Sequence, residues 1–270
     1  MRITGACCSG IPGVGIPKGT ESIDSNNVKY YLTDSSNVGN NDKVVIIISD
    51  VFGYDSVHTR IIADRYADEI GCKVYVPDVM KNHALPERLM VPLTGLMTGK
   101  LNFFQSISAV CSLFYHFMIF LSYNSHKTVE NSTKLFIKEL KKNGVTGVAT
   151  VGYCFGGDVS RNLGLIDDDI VNCVCIAHAG GLKVPNDMNA MKKPCCFILP
   201  HEDFAIKLPQ INILKNALAL RTDYQFEVLD YPKMLHGFAC RGDDEDAEIK
   251  AAKDDALSRS SLFIKRILGI

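Results

Sequence analysis

The apolar positions of the chain form short continuous runs that alternate with longer stretches of helical periodicity. Short apolar runs are typical of strands in a buried sheet. They lie at residues 28–32, 43–49, 73–76, 145–151, 170–177, 195–199 and 224–229. Helical spacing predicts helices at residues 56–70, 101–123, 127–142, 157–165, 206–220 and 247–268. This alternation predicts an α/β fold with a mostly parallel central sheet and helices on both faces.

The most hydrophobic window, residues 107–121, lies within the helix predicted at residues 101–123. Ser112 and His116 interrupt it, and it is shorter than the roughly 20 residues that a membrane span needs. We therefore expect a buried helix. Its aromatic side chains are predicted either to line a substrate pocket as a lid or to belong to the core. They are Phe103, Phe104, Phe114, Tyr115 and Phe117.

The N-terminal segment, residues 1–27, is rich in Gly, Pro and Ser and is predicted to be an irregular arm. No predicted strand precedes its glycines, so a dinucleotide-binding loop is not favoured. No internal repeat or low-complexity linker divides the remaining chain. We therefore expect residues 1–270 to form a single domain.

Composition narrows the function classes. The net charge of −1 gives no global field that would attract nucleic acid or an anionic membrane. The ten cysteines lack the paired spacing of zinc sites, and scattered thiols in a chain of 270 residues fit a reducing cytosol. The first residues lack the apolar region of a secretory signal. We expect a cytoplasmic monomer or homodimer with no metal, organic cofactor, nucleic-acid partner or membrane partner.

The segment Gly152-Tyr-Cys-Phe-Gly-Gly157 follows the strand predicted at residues 145–151. Gly-x-Cys-x-Gly is the pattern of a nucleophile elbow with cysteine in place of the usual serine. The glycines permit a sharp strand-to-helix turn, which exposes Cys154. Free N–H groups of the following helix point back at the sulfur and favour the thiolate. A lone cysteine is more often a core residue, but this context indicates a nucleophile.

A cysteine nucleophile needs an imidazole, and the imidazole needs a carboxylate to orient it. Asp203 and His236 each follow a late predicted strand, in the order nucleophile, acid, base. Glu202 competes with Asp203 for the role of the acid. Weaker candidates for the base are His201, His178 and His83. His178 lies at an apolar strand end and is equally explained as a histidine of the core or the pocket wall.

An oxyanion hole should combine the N–H of Phe155 with a second N–H from the loop after an early strand. The loop after the strand at residues 43–49 reads Asp50-Val-Phe-Gly-Tyr54. The N–H of Val51 is therefore the second candidate donor.

Taken together, these motifs resemble the dienelactone hydrolase family, the carboxymethylenebutenolidases, which have the α/β-hydrolase fold. The matching segments are Ser49-Asp-Val-Phe-Gly53, Val76-Pro-Asp78, Gly152-Tyr-Cys-Phe-Gly-Gly157, the loop ending at Asp203, and His236-Gly-Phe-Ala-Cys-Arg241. They span most of the chain in the family's order. The Cys7-Cys8 opening and the glycine-rich arm resemble the eukaryotic and fungal branch.

The resemblance implies a Cys154–His236–Asp203 triad that hydrolyses a lactone or small activated ester through a thioester acyl-enzyme. In the family, an acidic residue after the early strand holds the resting thiol, and arginines grip the substrate carboxylate. The matching positions are Asp50, where bacterial members carry Glu, and Arg241. A second arginine is not identified by the motifs, and Arg88 is the residue we consider for it.

Three other interpretations compete with an ester hydrolase. Glutamine amidotransferases also use Gly-x-Cys-x-Gly, but their acid lies two residues after the histidine, where this chain has Phe238. A non-catalytic binding protein of the same fold is a second alternative, because a triad alone does not prove turnover. A redox-sensing thiol is the third, because an exposed and activated cysteine is prone to oxidation.

Overall fold

The computed structural model describes residues 15–35, 40–97 and 99–270. These residues contain an eight-stranded sheet with the order β1-β2-β4-β3-β5-β6-β7-β8. The strands are β1 Thr20–Ile23, β2 Lys29–Thr33, β3 Asn40–Ile48, β4 Cys72–Pro77, β5 Gly147–Tyr153, β6 Cys173–Ala177, β7 Cys195–Glu202 and β8 Phe226–Leu235. The two pairs that involve β2 are antiparallel, and all other pairs are parallel. The prediction of a mostly parallel sheet is confirmed.

Helices connect the parallel strands and cover the sheet. They are α1 Val57–Ile70, α2 Met90–Met97, α3 Phe103–Tyr123, α4 His126–Lys142, α5 Phe155–Gly164, α6 Asn186–Ala190, α7 Leu208–Ala219, α8 Phe238–Arg241 and α9 Ala247–Leu268. The short helices α2, α6 and α8 were not predicted, because segments of this length show too few turns for a clear helical period.

Two hydrophobic cores lie on opposite faces of the sheet because side chains alternate along each strand. On β3, Val45 and Ile47 pack towards α1 and α9, whereas Val44, Ile46 and Ile48 pack towards α4, α5 and α7. The predicted burial of the central strands on both faces is therefore confirmed. The strands β5 to β8 are parallel neighbours, so their carboxyl ends all lie at the same end of the sheet.

The predicted arm at residues 1–27 is partly wrong. Thr20–Ile23 forms β1, which pairs with β2 across the whole of its length. The tyrosine hydroxyl of Tyr31 accepts a hydrogen bond of 2.6 Å from the N–H of Gly19 and fixes the start of the strand. The strand was missed because all four of its side chains are exposed and show no apolar pattern. The Cys7-Cys8 pair and the first glycines lie outside the described residues.

Helix α3 forms where it was predicted, but the expectation that it is buried is wrong. Only Ala109 and Phe120 are buried in its 21 residues. The aromatic side chains predicted for the pocket or core are all exposed, and Phe104 has the highest exposed fraction, 80%. By length and composition, α3 is also the one helix in the described part of the chain that could cross a membrane. Apolar composition predicted a helix, but it could not reveal that only one narrow face of it would be covered.

Candidate active site

Cys154 lies at the turn between β5 and α5 in a conformation that non-glycine residues rarely adopt. Its backbone angles are φ 52° and ψ −113°, which is a strained region for a residue with a Cβ atom. Its N–H donates to the carbonyl of Ala177 at 3.0 Å, and its carbonyl accepts from the N–H of Asp158 at 3.3 Å. These bonds hold the bend, and the side chain of Cys154 is partly exposed.

The glycines around Cys154 are required by close backbone approach. A Cβ atom on Gly152 would lie 2.1 Å from the carbonyl oxygen of Gly156. A Cβ atom on Gly156 would lie 2.1 Å from the carbonyl oxygen of Ile48. The positive φ of the turn belongs to Cys154, so the glycines serve chiefly to bring α5 against β3 and β5. Glycine at positions 152 and 156 is therefore explained by the lack of space for a side chain at the bend.

Asp203 and His236 are brought together by the pairing of the last two strands. A register shift between Pro200 and Glu202 lets β7 continue beside β8 until Glu202 lies opposite Leu235. The two residues that follow are then neighbours. The Nδ1 atom of His236 lies 3.0 Å from Oδ1 and 2.9 Å from Oδ2 of Asp203.

The carboxylate of Asp203 is fully buried, whereas Glu202 is exposed. Asp203 Oδ1 also accepts a 2.8 Å hydrogen bond from the N–H of Ala205. Of the two acids that the sequence left open, Asp203 is therefore the one at the imidazole.

The imidazole of His236 interacts with both Asp203 and Cys154. Burial alone would lower the pKa of His236, but the hydrogen bond to Asp203 and the interaction with the Cys154 sulfur outweigh it and raise the pKa to about 10. Nε2 is buried and has no aligned hydrogen-bond partner among the described residues.

Three contacts between aromatic rings at the site were not predicted from the sequence. The ring of Phe204 lies 4.4 Å from the ring of His236. The ring of Phe155 packs between Phe120, at 5.2 Å, and His126, at 4.5 Å. In the sequence, the contact of Phe204 with His236 is indicated only by the position of Phe204 directly after the candidate acid Asp203.

The other candidate histidines contact other residues or lack hydrogen-bond partners. His201 Nε2 contacts Asp230 Oδ2 at 2.8 Å, and His83 stacks on Tyr123 at 3.7 Å. His178 is fully buried with its ring 5.0 Å from that of His236. Neither of its ring nitrogens has a hydrogen-bond partner within the described residues. Burial, reinforced by His236, lowers the pKa of His178 well below its usual value, so this ring is neutral.

The candidate oxyanion donors lie on the two loops expected to supply them. Val51 follows β3, and its carbonyl accepts a 2.7 Å hydrogen bond from the N–H of Leu85. Phe155 is the first residue of α5. In the described part of the chain, neither the Val51 N–H nor the Phe155 N–H donates to a protein acceptor. Both are therefore available to an oxygen of a bound molecule.

Asp50 and Arg241 form a buried ion pair with each other. Arg241 Nε donates to Asp50 Oδ2 at 2.5 Å, and Arg241 Nη2 donates to Asp50 Oδ1 at 2.7 Å. The guanidinium also lies 4.5 Å above the ring of Phe52. Burial would lower the pKa of Arg241, but Asp50 outweighs this effect and raises it. Each of the two residues is thus the partner of the other in this structure, and the roles of thiol holder for Asp50 and substrate binder for Arg241 stay predictions. Arg88 is exposed.

Comparison with known proteins shows to which family the chain is similar. The sequence model of the dienelactone hydrolase family matches residues 28–268. A carboxymethylenebutenolidase homolog of Xenopus tropicalis is 24% identical over 84% of this chain and 82% of its own length. Hydrolase tropI of Talaromyces stipitatus is 26% identical over 93% of this chain and 91% of its own length.

A solved structure shares the fold. It is a Klebsiella pneumoniae protein named as a dienelactone hydrolase, with a TM-score of 0.67 and 15% identity. The alignment covers 92% of this chain and 98% of that protein. The α/β-hydrolase fold predicted from the motifs is therefore confirmed.

Proposed function

Because the chain belongs to the dienelactone hydrolase family and is a hydrolase of the ester class, we propose that it cleaves lactones or small activated esters through a covalent intermediate on Cys154. His236 is the proposed proton carrier, and Asp203 orients it. The observation that carries the proposal is the strained Cys154 beside an imidazole whose other nitrogen is held by a fully buried carboxylate. This is the arrangement of an activated nucleophile, its base and an orienting acid.

In the proposed acylation step, His236 first accepts the proton of the Cys154 thiol, which the raised pKa of His236 favours. The thiolate attacks the carbonyl carbon and forms a carbon–sulfur bond. The resulting oxyanion accepts hydrogen bonds from the N–H groups of Val51 and Phe155. When the carbon–oxygen bond of the ester breaks, the leaving oxygen takes the proton from His236. The product of this half is a thioester on Cys154.

Deacylation uses the same groups in reverse. The neutral imidazole of His236 removes a proton from a water molecule, and the hydroxide attacks the thioester carbonyl. The carbon–sulfur bond breaks, the carboxylic acid leaves, and the thiolate–imidazolium pair is restored. Asp203 keeps Nδ1 occupied throughout, so that Nε2 is the nitrogen that exchanges protons.

The nucleophile itself limits the substrate. A thiolate is a good leaving group, so the tetrahedral intermediate returns to substrate unless the ester oxygen leaves easily. Lactones that open to an enolate and aryl esters meet this condition, whereas amides do not. Arg241 is already paired with Asp50, so a carboxylate on the substrate would have to displace Asp50 in order to bind Arg241. We therefore expect esters that carry no free carboxylate to be preferred.

The first test is hydrolysis of p-nitrophenyl acetate and of a simple enol lactone by the purified protein. Cys154→Ala should lower kcat/KM by at least about 1,000-fold, because the covalent step is lost. The matched control is Cys111→Ala, which removes an exposed thiol from a different helix. Full activity of Cys154→Ala would contradict the proposal. Oxidation of Cys154 by mild peroxide in a protein that hydrolyses neither compound would favour the redox-sensing function instead.

The neighbouring acids provide a second matched pair. Asp203→Asn keeps the shape of the side chain but stabilises the wrong tautomer of His236, so we expect kcat to fall by about 1,000- to 10,000-fold. Glu202→Gln should leave kcat within about twofold, since this side chain is exposed. Equal losses in the two variants would mean that the acid has been assigned to the wrong residue.

A further inference from the structure

Helix α3 presents an apolar surface to the outside along its whole length. Six residues at spacings of three and four lie on one face of the helix, and we call them the outward stripe. They are Phe103, Ile107, Val110, Phe114, Met118 and Leu121, each 45% to 73% exposed. Phe104, Tyr115 and Phe117 widen this surface on both sides. The apolar face of a surface helix normally turns towards the core, and here it turns away from it.

The opposite face of α3 holds the helix to the protein. Ala109 and Phe120 are buried, and Phe120 packs against Phe155. At the end of the helix, Asn124 Nδ2 donates to the carbonyl of His83 at 2.9 Å, and Tyr123 stacks on the His83 ring at 3.7 Å. Because these contacts fix the orientation of α3, the outward stripe is a defined surface of the folded protein.

The size of this surface is unusual for a protein without a partner. Aromatic side chains have areas of about 150–250 Å² each, so the exposed apolar area of α3 is on the order of 1,000 Å². The largest apolar patch on a typical monomeric protein covers about 300–600 Å² and often serves a function. The outward stripe is therefore a candidate interaction surface.

The chain segment that carries α3, between Glu87 and Glu130, has only positive charges. Residues 88–129 contain Arg88, Lys100 and Lys127 and no acidic residue, although the whole chain has a net charge of −1. Lys100 precedes the helix and Lys127 follows it, and both are exposed. None of the three cations forms an ion pair with any described residue. An apolar helix with free cations at both ends complements a surface with an apolar interior and anionic headgroups.

We propose that the outward stripe of α3 docks the protein on an anionic phospholipid membrane. The helix lies in the plane of the membrane surface, with the outward stripe in the acyl boundary and Lys100 and Lys127 at the headgroups. It does not span the bilayer, because its opposite face is packed on the protein through Ala109 and Phe120. The expectation of no membrane partner rested on the net charge of the whole chain, which hides this local excess of cations.

A second copy of the chain is the competing occupant, and the charges disfavour it. In a twofold pair of α3 helices, an antiparallel contact would bring Lys100 of one copy near Lys127 of the other. A parallel contact would bring each lysine near its own equivalent. Both arrangements place like charges together, whereas anionic headgroups neutralise them.

The test is flotation of the full-length protein with two kinds of vesicle. One contains phosphatidylcholine alone, and the other contains equimolar phosphatidylcholine and phosphatidylserine. The wild-type protein should float with the phosphatidylserine vesicles. Phe114→Ser combined with Met118→Ser should reduce the bound fraction by at least about tenfold, because two apolar groups no longer enter the lipid. The matched control, Leu220→Ser with Leu262→Ser, removes two exposed apolar groups, one directly after α7 and one on α9, and should bind like wild type.

Neutralising the cations gives an independent readout. Lys100→Gln with Lys127→Gln should weaken binding to phosphatidylserine vesicles by roughly 30-fold, or about fivefold for each lysine. Added salt should have a similar effect on the wild type. Circular dichroism and hydrolysis of p-nitrophenyl acetate verify that each variant is folded, and both are expected to be unchanged.

Two results would overturn the proposal. The first is an absence of wild-type protein from the floating fraction of both vesicle types, or flotation that the Phe114 and Met118 substitutions do not reduce. The second is a dimer in analytical ultracentrifugation that these substitutions dissociate, together with no vesicle binding, which would assign the surface to a second copy. Membrane docking through α3 and ester hydrolysis at Cys154 are independent proposals. If the experiments contradict one of them, the other is unaffected.

Discussion

The two helices α5 and α3 meet at the contact between Phe155 and Phe120, yet they are held in opposite ways. Every residue of α5 except Asn162 is buried, and the start of the helix is pressed against the carbonyl of Ile48. In α3 only Ala109 and Phe120 are buried. A helix that is enclosed on all sides can serve to hold a reacting atom in a strained position. A helix that is attached by one face keeps the rest of its surface for a partner.

The largest expected effect concerns the enclosed helix. Gly156→Ala would place a Cβ atom 2.1 Å from the backbone oxygen of Ile48, and the backbone must shift to accept it. We expect a loss of about 4 kcal/mol or more in the free energy of unfolding, measured with urea.

The control for this variant is Gly71→Ala. Gly71 has a φ of 80° but nothing within 4 Å of an added Cβ atom, so only the backbone strain of about 1–2 kcal/mol remains. Equal losses at the two glycines would show that α5 is not held by close packing.

Substitution of a buried and an exposed phenylalanine on α3 tests whether only one face of this helix packs on the protein. Phe120→Ala should cost about 3–5 kcal/mol in the free energy of unfolding, because it leaves a cavity beside Phe155. Phe114→Ala should change it by less than about 0.5 kcal/mol, because 66% of this side chain is exposed. Both values come from urea unfolding. Comparable losses in the two variants would mean that the outer face of α3 is covered in solution by part of the protein or by a second copy.

A pH dependence at the elbow tests the proton that His236 holds. Since the folded protein raises the pKa of His236 from 6.5 to about 10, it binds this proton more tightly than the unfolded chain does. The resulting stabilisation is complete below about pH 6.5, decreases as the pH rises and is absent above about pH 10. The slope in this window is at most about 1.4 kcal/mol per pH unit.

Urea unfolding across this pH window measures the dependence on His236. Buried thiols such as Cys173 and Cys240, whose pKa values burial also raises, contribute a slope of the same sign. The comparison with His236→Gln therefore isolates the histidine. Identical slopes in wild type and His236→Gln would contradict the raised pKa.

The same contrast explains what the sequence could predict. The parallel strands and the elbow were readable because continuous apolar runs and a steric glycine pattern are local signals. Residue pattern alone left Asp203 and Glu202 open, and only the family resemblance favoured Asp203, because the contact with His236 depends on the register shift between Pro200 and Glu202. The pairing of Asp50 with Arg241 joins residues 191 positions apart and has no local signature. The exposure of α3 was missed because hydrophobicity does not say which faces of a helix the rest of the protein will cover.

The central claim is that the sulfur of Cys154 carries the acyl group. The direct measurement is intact-protein and peptide mass spectrometry after rapid acid quench of a reaction with p-nitrophenyl acetate. We predict an acetyl group on the peptide that contains Cys154 in the wild-type protein, and its absence in Cys154→Ala. Turnover with the acetyl group on another residue, or turnover that persists in Cys154→Ala, would contradict the account.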